Sequence, residues 1–222
     1  MRTHVIACGV FERELIALSP EGVTITFVEQ GLHQNPEKMR APLQEAIDSL
    51  AGQKLDRVLL FYGLCSNGVA GLVAGPHGLV IPLSHDCLGL LWGDPKGFEA
   101  DRARESGTYY LSRGWLEHGA APLDKLETYR AVMGDEDAEW GLREEFAHYK
   151  RLVWIDTGTD PGGSFSCAAR ANAEYLGLRF EVAKGEGEYL QKLLTGSLDG
   201  ECLILEPGET LDARRLHRIL SA

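Results

Sequence analysis

One stretch of the chain carries no charged side chain, and this limits what the chain can fold into. Between Val58 and His85 there is no Asp, Glu, Lys or Arg, although 25% of the 222 residues are charged. The stretch is long enough to span a bilayer, but its glycines and prolines exclude one continuous helix. These residues are Gly63, Gly68, Gly71, Gly75, Gly78, Pro76 and Pro82. We therefore expect the stretch to be buried inside a soluble fold.

Short apolar runs rich in β-branched residues alternate with helix-like segments, which is typical of an α/β fold with a largely parallel sheet and helices on both faces. The predicted strands are His4–Cys8, Val23–Val28, Arg57–Tyr62, Leu79–Leu83, Leu152–Asp156, Arg179–Val182 and Cys202–Leu205. The predicted helices are Phe11–Leu18, Pro36–Leu50, Ser166–Leu176, Gly187–Leu194 and Leu211–Ile219.

The length suits a single α/β domain, 1–222, or two small lobes that share one core. The two-lobe division would give a first lobe at 1–92 and a second βαβ lobe at 148–222. Residues 93–147 are less regular and are interpreted as a lid or an insert.

Composition excludes several classes of protein. The chain has 22 basic and 33 acidic residues and a net charge of −11, which argues against binding nucleic acid or an anionic membrane. The apolar N-terminal run from Val5 to Val10 is too short for a signal peptide. Five cysteines, an odd number, then indicate the reducing cytoplasm, where thiols bind metals, react or pack.

Cysteines and histidines follow several of the predicted strands. Cys8 ends the first strand, His33 follows the second, Cys65 the third, and His85 and Cys87 the fourth. Ligands of parallel α/β sheets bind beyond the carboxyl ends of the strands, where these residues would converge. Packing explains any one buried thiol, but it does not require three of them at strand ends.

Thiolate and imidazole together are ligands of zinc, iron and copper. The sequence therefore predicts a metal site formed by Cys8, Cys65, His85 and Cys87. Zinc is the metal that this set favours, and an iron–sulfur cluster is also compatible with it.

Further residues are candidates for the reaction and for substrate binding. His33 is a candidate acid–base group, and Glu14, one turn past Cys8, is a candidate catalytic partner unless it is a solvated helix carboxylate. The predicted substrate-binding residues are Tyr62, Asn67, Tyr109, Tyr110, Trp115 and Asp156. The aromatic residues also suit packing, and Asp156, which we expect at the same sheet edge, also suits a loop cap.

Three motifs carry a resemblance to a known family. They are Tyr62-Gly-Leu-Cys-Ser-Asn-Gly68, His85-Asp-Cys87 and Gly107-Thr-Tyr-Tyr-Leu-Ser-Arg-Gly-Trp115. They resemble the prokaryotic family catalogued as domain of unknown function number 1638, and so do Cys8 with Glu14, His33, Pro36 and the Arg151–Asp156 strand. The resemblance implies, through genes often found beside those of its members, a role in corrinoid-dependent methyl-group metabolism.

Three functions remain open. In the first, the metal site acts on methyl groups or thiols, since zinc enzymes that move methyl groups between corrinoids and thiols use a His-x-Cys pair and a distant Cys, as His85, Cys87 and Cys65 would. In the second, the site binds or delivers a metal, cluster or corrinoid without turnover. In the third, Cys65 is a metal-independent hydrolytic nucleophile with His85 as its base, although the spacing misses G-x-S-x-G by one residue. The expected partner is a small-molecule substrate or a corrinoid or methyltransferase protein.

Overall fold

The structure is a computed structural model of an α/β protein, as predicted, and it divides into two compact units. The first unit comprises Met1–Lys96 and Glu186–Ala222, and the second comprises Gly97–Gly185. The structure describes residues 1–30, 36–64, 68–196, 200–212 and 214–215, and at 36–37 it describes the backbone only.

The first unit contains a five-stranded sheet in the order β2-β1-β3-β4-β8. The four neighbours β2, β1, β3 and β4 are parallel, and β8 pairs antiparallel with β4. Its strands are β1 Thr3–Cys8, β2 Val23–Val28, β3 Arg57–Phe61, β4 Leu79–Pro82 and β8 Cys202–Leu205. Its helices are α1 Glu12–Leu18, preceded by a 3-10 turn at Gly9–Phe11, α2 Pro36–Asp48, α3 Cys87–Trp92 and α9 Gly187–Thr195.

The charge-free stretch supplies two central strands of this sheet, as its composition predicts. Every residue of β1, β3 and β4 is buried, which is typical of parallel strands covered on both faces. The edge strand β2 instead alternates between half-buried and exposed positions along most of its length. Phe11 packs edge-on against Phe61 with ring centroids 4.8 Å apart, so the turn after β1 is held against β3.

Two buried polar side chains are hydrogen-bonded inside the first unit. Arg57, at the start of β3, donates to the carbonyl oxygens of Leu193 and Leu194 near the end of α9, at 3.3 and 2.9 Å. His4 on β1 lies 2.7 and 3.0 Å from the hydroxyls of Thr24 and Thr26 on β2. Burial lowers the pKa of His4.

The second unit contains a three-stranded parallel sheet in the order β5-β6-β7. Its strands are β5 Thr108–Leu111, β6 Arg151–Asp156 and β7 Arg179–Lys184. Its helices are most of α4 Pro95–Arg104, then α5 Arg113–Glu117, α6 Pro122–Met133, α7 Asp135–Phe146 and α8 Ser164–Leu176. Two apolar clusters stabilise it, one around Trp154 and one between α6 and α7 around Leu142.

A buried arginine links four elements of the second unit. Arg151, 2% exposed at the start of β6, donates to the carboxylate of Asp101 on α4 at 2.5 Å and to that of Glu181 on β7 at 3.0 Å. It also donates to the hydroxyl of Thr108 on β5 at 2.9 Å. The hydroxyl of Tyr110 donates to the same carboxylate of Asp101 at 2.6 Å.

Apart from the helix predicted at Leu211–Ile219, the predicted strands and helices agree with the structure to within two residues at their described ends, but the organisation differs from the expectation in two ways. Residues 93–147 are mostly helical and contribute β5, which pairs with β6, so they share a sheet with the chain that follows them. The last helix and strand, α9 and β8, belong to the first unit and not with residues 148–185.

The predicted helix Leu211–Ile219 falls mostly outside the described residues. Arg214 and Arg215 are helical there, whereas Leu211 and Asp212 are not. Across the part of the chain that the structure describes, no helix combines the length and apolar character needed to cross a membrane.

Candidate thiol and metal site

The carboxyl ends of three parallel strands meet at one edge of the first sheet. Cys8 is the last residue of β1, Tyr62 directly follows β3, and Ser84 to Asp86 follow β4. The strand order β1-β3-β4 and its parallel pairing therefore confirm that the chain segments carrying Cys8, His85 and Cys87 leave the sheet on the same side.

The segment after β4 crosses the end of β3. Neighbouring strands lie about 4.8 Å apart, so the end of β4 is about 10 Å from β1. A Cβ atom on Gly63 would lie only 2.3–2.6 Å from the backbone of Asp86, which shows how closely the crossing segment passes over β3. The N–H of Leu64 also donates to the carbonyl of Ser84 at 3.0 Å. A glycine at position 63 thus gives the chain room to run from β4 towards β1.

Asp86 fixes the point at which α3 begins. Its carboxylate accepts hydrogen bonds from the N–H groups of Leu88 and Gly89 at 2.9 and 3.1 Å, as an N-cap residue does. Its carbonyl accepts a hydrogen bond from the hydroxyl of Ser84 at 2.8 Å. These contacts fix Cys87 as the first residue of α3.

The crossing brings two thiols into contact. The thiol of Cys87 is hydrogen-bonded to the sulfur of Cys8, which also interacts with the N–H of Val10 and the hydroxyl of Tyr62. Cys8 is 5% exposed and Cys87 6% exposed. The hydrogen bond with Cys87 is the largest cause that lowers the pKa of Cys8, and it acts against burial, which would raise it.

The other predicted ligands and catalytic residues differ in their exposure, and some of them lie outside the part of the chain that the structure describes. His85 is exposed, and Glu14 on α1 is buried at 1% exposure, unusual for a carboxylate. Cys65, Asn67 and His33 lie outside the described residues. Among the residues that the structure does describe, no group of three or more His, Cys, Asp or Glu side chains is placed to hold a metal ion.

A groove lies beside this edge of the sheet, between β2 and α2. Its volume is about 440 Å³, and its lining includes Phe27, Val28, Glu29 and Pro42. Val28 is the register partner of Cys8 in the β1–β2 pair.

Asp156 does not lie at the sheet edge that carries Cys8, so that expectation is wrong. It ends β6, which belongs to the separate three-stranded sheet of the second unit. Its carboxylate accepts a hydrogen bond from the N–H of Gly158 at 2.9 Å, so it stabilises the turn after the strand.

Three of the predicted aromatic residues, Tyr109, Tyr110 and Trp115, lie in the second unit, where packing accounts for them. Tyr109 stacks edge-on against Phe146 and Tyr149, at 5.1 and 5.3 Å, and its hydroxyl donates to the carbonyl of Ala120. Tyr110 is hydrogen-bonded to Asp101, and Trp115 packs on the apolar cluster around Trp154. Burial raises the pKa of both tyrosines.

Two further cysteines, Cys167 and Cys202, are described by the structure, and neither is part of the thiol pair. Cys167 is exposed on α8 in the second unit. Cys202 is half-buried on β8, where burial raises its pKa to about 11. Sequence reasoning missed the specific role of Gly63, although its place between a buried strand and the next cysteine was a usable signal.

The fold and this site define an α/β protein with a buried pair of thiols at the carboxyl edge of a parallel sheet. The chain belongs to the family described as Protein of unknown function (DUF1638), whose model matches residues 27–194. The resemblance carried by the sequence motifs is thereby confirmed. A search of curated proteins gave no significant match.

Among solved structures, the chain is matched to one described as a small-chain dehydrogenase. The two share 12% sequence identity over 88% of this chain and 100% of that one, with a TM-score of 0.21. Similarity at this level carries no argument about fold or function.

Proposed function

We propose that this protein binds a zinc ion through cysteine thiolates at the carboxyl edge of the first sheet and uses the site in methyl-group or thiol metabolism. One observation carries the proposal: the hydrogen bond between Cys87 and Cys8, which joins the sulfur at the end of β1 to a sulfur on the segment after β4, a strand that does not neighbour β1. Cys65 and His85, the other two ligands predicted from the sequence, would complete a set of three thiolates and one imidazole.

The surroundings of Cys8 suit a metal-bound thiolate. The N–H of Val10 and the hydroxyl of Tyr62 both lower its pKa, and they would do so by donating to its sulfur. Groups that hydrogen-bond to a ligand in this way orient it and adjust its affinity for the metal. The low exposure of Cys8 and Cys87 would keep bulk water away from both sulfurs.

Zinc at such a site supplies a Lewis acid that keeps a bound thiol deprotonated near neutral pH. The chain's own residues would hold the ion through Cys8 and Cys87, and Tyr62 would stabilise charge on the sulfur of Cys8. Membership of the family supports a role in methyl transfer only through the gene neighbourhood that the resemblance implies. A small thiol or a corrinoid protein is the corresponding partner.

Metal analysis of protein purified without oxygen tests the binding step. We expect about one zinc ion per chain in the wild type, and at least about tenfold less in Cys8→Ser and in Cys87→Ser. Cys202→Ser is the matched control, since Cys202 lies on the same sheet and is outside the thiol pair; it should keep the metal. Iron and sulfide in place of zinc would indicate a cluster, and unchanged zinc in both single variants would contradict the proposal.

A second experiment separates turnover from delivery. Wild-type protein is mixed with methylcobalamin and a small thiol such as 2-mercaptoethanol, and loss of the methylcobalamin spectrum is followed. We expect demethylation that requires zinc and is lost in Cys87→Ser. Zinc release to an acceptor chelator with methylcobalamin unchanged would instead favour the delivery function.

A further inference from the structure

We propose that Cys8 and Cys87 form an oxidation-sensitive pair that closes to a disulfide on reaction with a hydroperoxide. The two side chains are hydrogen-bonded sulfur to sulfur, and both are free cysteines. A thiol oxidised beside a second thiol forms a disulfide with it, because the second sulfur is already within reach.

The backbone around the pair holds it together. The crossing segment is fixed by the hydrogen bond from Leu64 to Ser84 and by the N-cap of α3 at Asp86. Cys87 therefore approaches Cys8 as part of an ordered turn and helix start.

The low exposure of the pair favours a small oxidant over a bulky one. Sulfurs in residues that are 5% and 6% exposed are poorly open to a bulky disulfide, whereas hydrogen peroxide is little larger than water. Cys167 is exposed but lies in the second unit and is not part of the pair.

The reaction balances without any further reagent. One sulfur attacks a peroxide oxygen, the O–O bond breaks, and a sulfenic acid and water form. The other sulfur then attacks the sulfenic sulfur, the S–O bond breaks, and the disulfide and a second water form. The two sulfurs together lose two electrons, and hydrogen peroxide gains them.

The consequence for the metal rests on the proposed function, whereas disulfide formation does not. A disulfide has no thiolate to offer a metal ion, so zinc binding and the disulfide exclude each other. Peroxide would then release zinc, and bound zinc would slow oxidation of the pair.

The test treats as-purified and chelator-treated wild-type protein with hydrogen peroxide and maps disulfides by mass spectrometry of unreduced peptides. We expect a Cys8–Cys87 disulfide in the chelator-treated protein, at a rate at least about tenfold higher than in the zinc-bound sample. Cys167→Ser should behave like the wild type. Cys8→Ser and Cys87→Ser should lose the disulfide, and the remaining thiol should be found as a sulfenic acid when the protein is unfolded in the presence of dimedone.

The outcomes separate this inference from the proposed function. A disulfide that joins Cys65 to either partner, or thiols that stay reduced in the chelator-treated protein, would overturn the inference. A Cys8–Cys87 disulfide in protein that never contained zinc would support the inference and contradict the proposed metal site. Circular dichroism of each serine variant shows whether it is folded, and the wild-type mapping stands without the variants.

Discussion

A Cβ atom on Gly63 would lie 2.3 Å from the carbonyl carbon of Asp86, and this close approach marks the place where the chain crosses from β4 over β3. The crossing accounts for the contact between Cys8 and Cys87, which are 79 positions apart in sequence (87 − 8). Since β3 lies between the strands that precede them, the thiol pair depends on a residue without a side chain.

Gly63→Ala should therefore destabilise the first unit and separate the thiols. Because the clash is with backbone, which cannot rotate away, we expect a loss of about 2–4 kcal/mol in the free energy of unfolding. Zinc content should fall with it. Gly52→Ala is the control, because nothing lies within 4 Å of its added Cβ atom. Urea titration checks both variants, and equal midpoints would contradict the crossing geometry.

Arg151→Met should destabilise the second unit by about 3–5 kcal/mol, since it leaves the buried carboxylate of Asp101 without its buried cation and only with Arg104, which is 70% exposed. The control is Arg102→Met on the same helix as Asp101. Arg102 pairs with Glu99 at the surface, where an ion pair contributes about 1 kcal/mol or less. If urea unfolding shows similar losses of unfolding free energy for both variants, the pair of Arg151 and Asp101 does not stabilise the second unit as the structure indicates.

Asp101 should make the second unit sensitive to acid. Burial alone would raise its pKa, but the hydrogen bonds from Tyr110 and Arg151 and the nearby positive charges outweigh it and lower the pKa. A carboxylate with a lowered pKa stabilises the fold above its unfolded pKa of about 3.9, and the contribution is lost as the pH falls through the folded value. In Asp101→Asn, unfolding free energy measured from pH 5 downward should fall less steeply than in the wild type. Parallel curves would contradict this.

His4 should make the stability of the first unit depend on pH in a higher range than Asp101 does for the second unit. Burial lowers its pKa below 6.5, so the folded protein favours the neutral ring between Thr24 and Thr26. Stability should be complete above the unfolded pKa and should fall as the pH drops from about 7 to about 5, since the unfolded chain binds the proton more readily. His4→Gln should flatten this part of the curve. His118→Gln, at an exposed histidine, should leave this pH dependence unchanged. A flattened curve in His118→Gln and an unchanged one in His4→Gln would contradict the role given to His4.

The strands around the site could be predicted from the sequence because their apolar runs are continuous and their ends are polar. Cys8 and Cys87 could be placed at one sheet edge for the same reason. Their contact could not be predicted, because it depends on which strand lies between β1 and β4 and on how closely the chain passes over Gly63. Hydrophobic periodicity carries neither piece of information.

The position of Asp156 shows the corresponding limit for whole sheets. β6 and the helix after it have the same pattern as β3 and its surroundings, so the sequence gives no sign that β6 belongs to a separate sheet. The pairing of β5 with β6 depends in part on Arg151, which donates to Thr108 at the start of β5. From the sequence alone, a buried arginine at the start of a strand cannot be distinguished from an exposed one.

X-ray absorption at the zinc edge of anaerobically purified protein tests the central claim most directly. We expect sulfur neighbours at about 2.3 Å in the wild type, and one fewer in Cys8→Ser and in Cys87→Ser when each variant is loaded with one equivalent of added zinc. Cys202→Ser should give the wild-type spectrum. A zinc ion surrounded only by nitrogen and oxygen at about 2.0–2.2 Å, or a sulfur count unchanged in both variants, would contradict the account.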